Sequence, residues 1–206
     1  MHSDQKLNEA NFFLIQLNGA IRTPDHSFEY YLDAFMTACW SIPDMLLYDF
    51  AIIYNLGITR EMIFRASDFE LIVNALQINK YLQDDKPLKF IEWYNKNVKK
   101  LKDDPILKRR NYQIHRGFTS TVSQIDIISS SISVTGTFTA LREWVYFSGI
   151  TVPSIGGGAL SPQDLQQIQY SESIYFEGEV SRDIPSLAKD TYDKMTIFLN
   201  EAKNYL

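Results

Sequence analysis

Apolar side chains recur at three- and four-residue intervals along the first hundred residues, which is the spacing of one helix face. In the first such segment, at about residues 4–21, the apolar positions are Leu7, Ala10, Phe13, Leu14 and Leu17. A longer segment, FEYYLDAFMTACWSIPDMLLYDFAIIYNLG, is apolar nearly all round. This pattern predicts that the second helix is the central and most buried one. We expect a kink or break at Pro43, because proline has no amide proton to donate.

Three further helical segments follow in SDFELIVNALQINKYLQ, KPLKFIEWYNKNVKKLK and DDPILKRRNYQIHRG. The last of these has recognisable ends. Asp104 is the predicted N-cap, Pro105 occupies the first helical position, and Gly117 supplies the left-handed residue after the last turn. We therefore expect this helix at about 105–116, and a closing C-terminal helix within 183–206.

The residue composition changes between these last two helices. Residues 118–180 are rich in β-branched and hydroxyl side chains, with partial two-residue alternation in FTSTVSQIDIISSSISVTGTFTA. This predicts an irregular, β-containing insertion. The expected fold is therefore mainly α, a helical bundle forming one domain over 1–206 with a small β-containing insertion at 118–180.

Composition excludes several classes of protein. The chain has 206 residues, of which 45% are hydrophobic, as expected of a folded domain. No apolar run approaches the roughly 18–20 residues that span a bilayer, and the N-terminus lacks a secretion-signal pattern, so we expect a soluble, cytoplasmic protein. Cys39 is the only cysteine, and neither His2 nor His26 has a partner at metal-ligand spacing. These counts predict no internal disulfide and no thiolate metal cluster, and we expect no cofactor.

Charge is distributed unevenly. The net charge is −5, yet residues 96–116 carry eight basic and two acidic side chains, a local charge of +6. A solvated basic face is the ordinary explanation of such a run. A zone that attracts anions such as RNA is the other one.

The most specific chemistry within this zone lies in KRRNYQIHRG, residues 108–117. On a helix, Asn111 and His115 lie about 40° apart, whereas Arg110 lies about 140° from His115. A single helix therefore brings Arg110 and His115 together poorly. Two copies packed antiparallel about a two-fold axis do so better, which favours a homodimer.

The segment RNYQIH resembles the Arg-polar-x3-His motif of HEPN domains, the helical domains of many toxin and defence ribonucleases. NEANFF, YYLDAFMTACWSIPD, FIEWY and DPILKRRNYQIH also follow in the expected order, so the resemblance covers roughly residues 5–117. It implies a metal-independent endoribonuclease that acts as a homodimer on RNA. It also implies, as partners, a protein antitoxin or a nucleotidyltransferase.

The resemblance assigns roles to individual residues. His115 moves a proton, since an imidazole titrates near neutral pH, and Arg110 holds the scissile phosphate. Asn111 orients His115 or donates to the phosphate. Flanking phosphates are contacted by Lys108, Arg109 and Arg116.

The alternative is a non-catalytic dimerisation or interaction module that binds a nucleotide, RNA or an acidic partner. In that case His115 stabilises the helix dipole by about 0.3–1 kcal/mol, and Arg110 pairs with an acidic neighbour such as Glu92.

Overall fold

The helical periodicity of the sequence corresponds to real helices in the computed structural model, which describes residues 1–20, 27–63, 68–78, 84–101, 103–109, 121–128, 133–138, 169–176 and 182–206. The helices are α1 (His2–Ala20), α2 (Ser27–Ile53), α3 (Arg60–Ile63), α4 (Asp68–Ile78), α5 (Asp85–Leu101), α6 (described over 105–109) and α7 (Ile184–Ala202). The described residues are mainly helical, which confirms the predicted fold class.

The core lies where α1, α2 and α7 pack together. Helix α2 is the central element, as predicted, and both α1 and α7 lie against it. The side chains of α1 that are buried at successive helical turns are Ala10, Leu14 and Leu17. The apolar periodicity thus identified the buried face of α1 correctly, because a helix side chain three or four positions on returns to the same face.

We expected a kink or a break at Pro43, and a break is wrong, because α2 continues through this residue to Ile53. Pro43 is buried, and Ile42 and Leu46 beside it are fully buried. An interior proline costs about 3 kcal/mol, whereas burying one large aliphatic side chain contributes about 1.5–3 kcal/mol. Several such side chains on the continuous helix outweigh the proline.

Aromatic rings connect α2, α5 and α7. Phe50 and Phe90 stack with their centroids 4.1 Å apart and their planes 8° from parallel. Trp93, one turn further along α5, lies 4.9 Å from the ring of Phe198 on α7. Ring pairs of this kind stabilise a fold by about 0.5–1.5 kcal/mol beyond the contribution of their buried area. They fix α5 alongside α7 and so determine the shape of the groove between these two helices.

Within 118–180 the structure describes three strands, β1 (Thr121–Ile128), β2 (Ser133–Phe138) and β3 (Gln169–Phe176). They form an antiparallel sheet in the order β2-β1-β3, in which Ile125 of β1 is opposite Gly136 on one side and Glu172 on the other. Strand β3 lies against α7, and Ile174 is buried in the helical core.

Candidate functional site

The predicted RNA-binding and catalytic residues fall at the limit of the described chain. Lys108 and Arg109 are described, as the last residues of α6 that the structure covers. Lys108 is exposed and forms an ion pair with Asp103 at 3.2 Å, while Arg109 is half-buried. The remaining predicted site residues lie outside the described residues: Arg110, Asn111, His115 and Arg116.

The start of α6 is held by Asp104, as the sequence predicted. Its Oδ1 atom accepts hydrogen bonds from the backbone amides of Ile106 at 3.0 Å and Leu107 at 3.4 Å. These are the second and third residues of a helix that begins with Pro105, so the contact is an N-cap. Asp104 therefore fixes the helical start of the segment that leads into Arg110.

The same carboxylate also joins α6 to α7. Its Oδ1 atom accepts a hydrogen bond from the Thr191 hydroxyl at 2.8 Å, and its Oδ2 atom pairs with the Lys194 ammonium at 2.6 Å. Asp104 is only 3% exposed. A buried carboxylate is tolerated when its oxygens are saturated with donors and a cation lies nearby, as they are here.

A polar groove runs along the outside of this junction, between α5 and α7. It has a volume of about 660 Å³. Its lining includes Lys96, Asn97, Lys100, Asn204 and Tyr205. Trp93 lies beneath them, stacked on Tyr205 at 5.5 Å, and donates from Nε1 to Glu201 at 3.3 Å. Ammonium and amide groups beside an aromatic ring are suited to an anionic ligand, and the carboxylates of Glu92 and Glu201, which also line the groove, oppose one.

Cys39 is fully buried in α2. Burial in α2, together with the negative charge of Asp104, raises the pKa of the Cys39 thiol far above its ordinary range. A thiol that stays protonated does not attack carbonyl or phosphoryl groups. The described residues also contain no group of three or more histidine, cysteine, aspartate or glutamate side chains arranged to hold a metal ion.

The sequence missed one polar cluster, where α1 begins beside α2. Asp49 is buried, and its two oxygens accept bonds from the backbone amides of His2 at 2.9 Å and Ser3 at 2.8 Å. The Ser3 hydroxyl at 2.6 Å and His2 Nδ1 at 2.8 Å complete the cluster. His2 therefore has an acidic partner that local spacing did not reveal. The available signal was a single aspartate within the apolar run LLYDFAII.

Asp49 makes stability depend on pH. Burial alone raises the pKa of this carboxyl, but the hydrogen bonds from Ser3 and His2 outweigh that effect, so its pKa is lowered below the ordinary value. A group with a lowered folded-state pKa stabilises the fold above its unfolded pKa of about 3.9, and this contribution is lost as the pH falls through the folded value. Wild-type stability should therefore decline below about pH 4.

Replacing Asp49 by asparagine should lower the free energy of unfolding at pH 7 by about 1–3 kcal/mol, because the four groups that contact its carboxylate lose a charged acceptor. The same variant should show a shallower decline in acid. Urea unfolding from pH 7 to pH 3 measures both effects. Asp85→Asn is the matched control, since the Asp85 side chain is 86% exposed. Equal acid sensitivity in the wild type and Asp49→Asn would contradict the assignment.

Comparison of the chain with protein-family models, with curated proteins and with solved structures gives no match in any of the three. Fold and site therefore define a broad class, a mainly α-helical protein with a polar junction between α5, α6 and α7. None of the described helices combines the length and apolar character needed to cross a bilayer.

Proposed function

We propose that the chain is a HEPN-like, cytoplasmic endoribonuclease that cleaves RNA without a metal ion, at a cleft shared by two copies. The reacting groups are Arg110, Asn111 and His115. The resemblance of RNYQIH to the HEPN motif supports the assignment. The basic character of residues 96–116 supports RNA as the substrate.

The observation that carries the proposal is the anchored start of α6. The same local signals predicted both the N-cap at Asp104 and the helix that leads to the motif, and the cap is present. On a helix continuing in that register, Arg110 and His115 lie about 140° apart. A two-fold partner supplies the missing group in each cleft, which is why we propose a homodimer.

The reaction is a transesterification within the RNA strand. The ribose 2′-oxygen forms a bond to phosphorus, and the bond between phosphorus and the 5′-oxygen breaks. His115 takes the proton from the 2′-hydroxyl or delivers one to the leaving 5′-oxygen. Arg110 stabilises the additional negative charge of the transition state with its planar, bidentate guanidinium. The products are a 2′,3′-cyclic phosphate and a 5′-hydroxyl.

The experiment is incubation of the purified protein with structured and single-stranded RNA in excess EDTA. We expect cleavage that leaves 2′,3′-cyclic phosphate ends, read by mass spectrometry of the fragments. A DNA strand of the same sequence is the control and should remain intact, because it lacks the attacking hydroxyl. Cleavage that requires added Mg²⁺, or no cleavage of any RNA, would overturn the proposal.

A second candidate function is a non-catalytic dimerisation or interaction module that binds a nucleotide, RNA or an acidic partner, with a protein antitoxin or a nucleotidyltransferase as the proposed protein partner. The exposed face of α1 favours it, since Phe12 and Ile15 are 54% and 59% exposed one turn apart. Large apolar side chains in neighbouring exposed positions are typical of protein contacts. Stable binding of RNA without cleavage would support this candidate over the nuclease.

A further inference from the structure

The lysines of this protein differ in whether a carboxylate accompanies them. Six of the described lysines form ion pairs, at positions 6, 89, 108, 189, 194 and 203. The described lysines without an acidic partner are Lys86, Lys96, Lys99 and Lys100, and all four lie on α5. Among the lysines that the structure describes, those without an acidic partner therefore lie on one helix of an acidic chain.

Three of these residues, Lys96, Lys99 and Lys100, form what we call the lysine patch. They occupy the last two turns of α5, residues 94–101, which contain no acidic residue. All three are exposed. Within the described part of the chain, Lys100 donates only to the Asn97 side-chain oxygen, at 3.2 Å. Interaction with the negative end of the helix dipole favours lysine in the last turn, and it leaves these ammonium groups available to an anion.

The lysine patch borders the groove between α5 and α7. Lys96 and Lys100 line this groove, together with the amides of Asn97 and Asn204. Glu92, Glu201 and Lys89 also line it, so three ammonium groups and two carboxylates border the groove. A neighbouring pocket of about 370 Å³ continues from Lys100 and Asn97 to Asp104 and Lys194. The groove therefore leads from the lysine patch to the anchored start of α6.

We propose that the lysine patch and this groove bind the sugar–phosphate backbone of an RNA strand, outside the cleft that contains Arg110 and His115. The inference rests on the proposed function for the identity of the nucleic acid. Lysine ammonium groups neutralise phosphates as point charges, and the exposed amide of Asn204 donates to phosphate or ribose oxygens. The Asn97 amide already donates to the Trp93 carbonyl at 2.9 Å. The patch attracts the strand without reading its sequence, since backbone contacts carry no sequence information.

The test is binding of a fully 2′-O-methylated RNA oligonucleotide, which lacks the attacking hydroxyl and so reports binding alone. Fluorescence anisotropy across a range of salt concentrations compares the wild type with Lys96→Gln/Lys99→Gln/Lys100→Gln. We expect the triple variant to bind at least tenfold more weakly. Its salt dependence should be shallower by about 2 in log–log slope, because each lost phosphate contact removes about 0.7.

The matched control is Lys6→Gln/Lys189→Gln/Lys203→Gln. It removes three positive charges from lysines that are paired with Glu9, Asp193 and Asp4, so it lowers the net charge by the same amount. We expect its affinity to stay within about threefold of the wild type, since ion-paired lysines release few counterions. Circular dichroism shows whether both triple variants retain the helical fold.

Each outcome decides the proposal. Equal weakening in the two triple variants would overturn it, because net charge alone would then explain the loss. Absence of RNA binding by the wild type would overturn it, as would equal displacement of RNA by a polyglutamate peptide. If the wild type cleaves RNA but both triple variants bind the methylated oligonucleotide equally, this proposal fails and the nuclease proposal stands. If RNA binds through the patch in a salt-dependent way but no RNA is cleaved, this proposal stands and the nuclease proposal fails.

Discussion

Replacing His115 by alanine is expected to lower the rate of RNA cleavage by about 10²- to 10⁴-fold, the contribution of one positioned general acid or base. Binding of uncleavable RNA should change little, because a neutral imidazole adds no charge to the attraction of phosphates. The measurement is the single-turnover cleavage rate in EDTA, beside the anisotropy of a methylated oligonucleotide. A large rate loss with unchanged affinity identifies a group that acts in the transition state rather than in substrate binding.

The histidine control is His26→Ala, which removes an imidazole that we predict to lie in a turn without a chemical role. It should cleave at the wild-type rate. Added imidazole should restore part of the activity of His115→Ala, because a small base can enter the space that the side chain leaves. A His115→Ala variant that folds and cleaves like the wild type would exclude His115 from the reaction.

The elements that the sequence predicted well are those specified by local rules. Helix α1 was expected at about 4–21 and extends from His2 to Ala20, because its apolar spacing alone determines which face is buried. The start of α6 follows from two adjacent residues, an aspartate able to cap and a proline whose missing amide proton costs nothing there. Such signals lie within a few residues of the structure that they specify.

The features that the sequence did not predict depend on residues far apart in the chain. Asp49 meets Ser3 across 46 positions, and Asp104 meets Thr191 across 87. No local spacing encodes such pairs, because the packing of whole helices brings them together. The continuity of α2 through Pro43 has the same origin, since the buried neighbours of the proline decide the outcome. The motif residues from Arg110 to Arg116 lie outside the described chain, so their convergence stays a prediction.

Replacing Asp104 by alanine should lower the free energy of unfolding by about 2–4 kcal/mol. Loss of an N-cap costs about 0.5–2 kcal/mol, and a buried donor deprived of its acceptor costs about 1–3 kcal/mol. The ion pair adds little, because the Lys194 side chain is 51% exposed and its ammonium can turn to water. The Thr191 hydroxyl can still donate to the Leu187 carbonyl, at 3.0 Å. We therefore expect the loss of unfolding free energy to lie nearer about 2 than about 4 kcal/mol. Urea unfolding at pH 7 measures the change.

Two further variants separate the cap from the charge. Asp104→Asn retains a side-chain oxygen for the amides of α6 but loses the anion opposite Lys194, so it should cost about 1 kcal/mol. Asp103→Ala removes the adjacent carboxylate, which is 79% exposed and pairs only with Lys108 among the described residues, and it should change stability by less than about 0.5 kcal/mol. Neighbouring aspartates with such different costs would show that α6 is held through the buried oxygens of Asp104. Equal costs at positions 103 and 104 would mean that the junction contributes only through its overall charge, and α6 would then lack the anchor on which the position of the Arg110 segment depends.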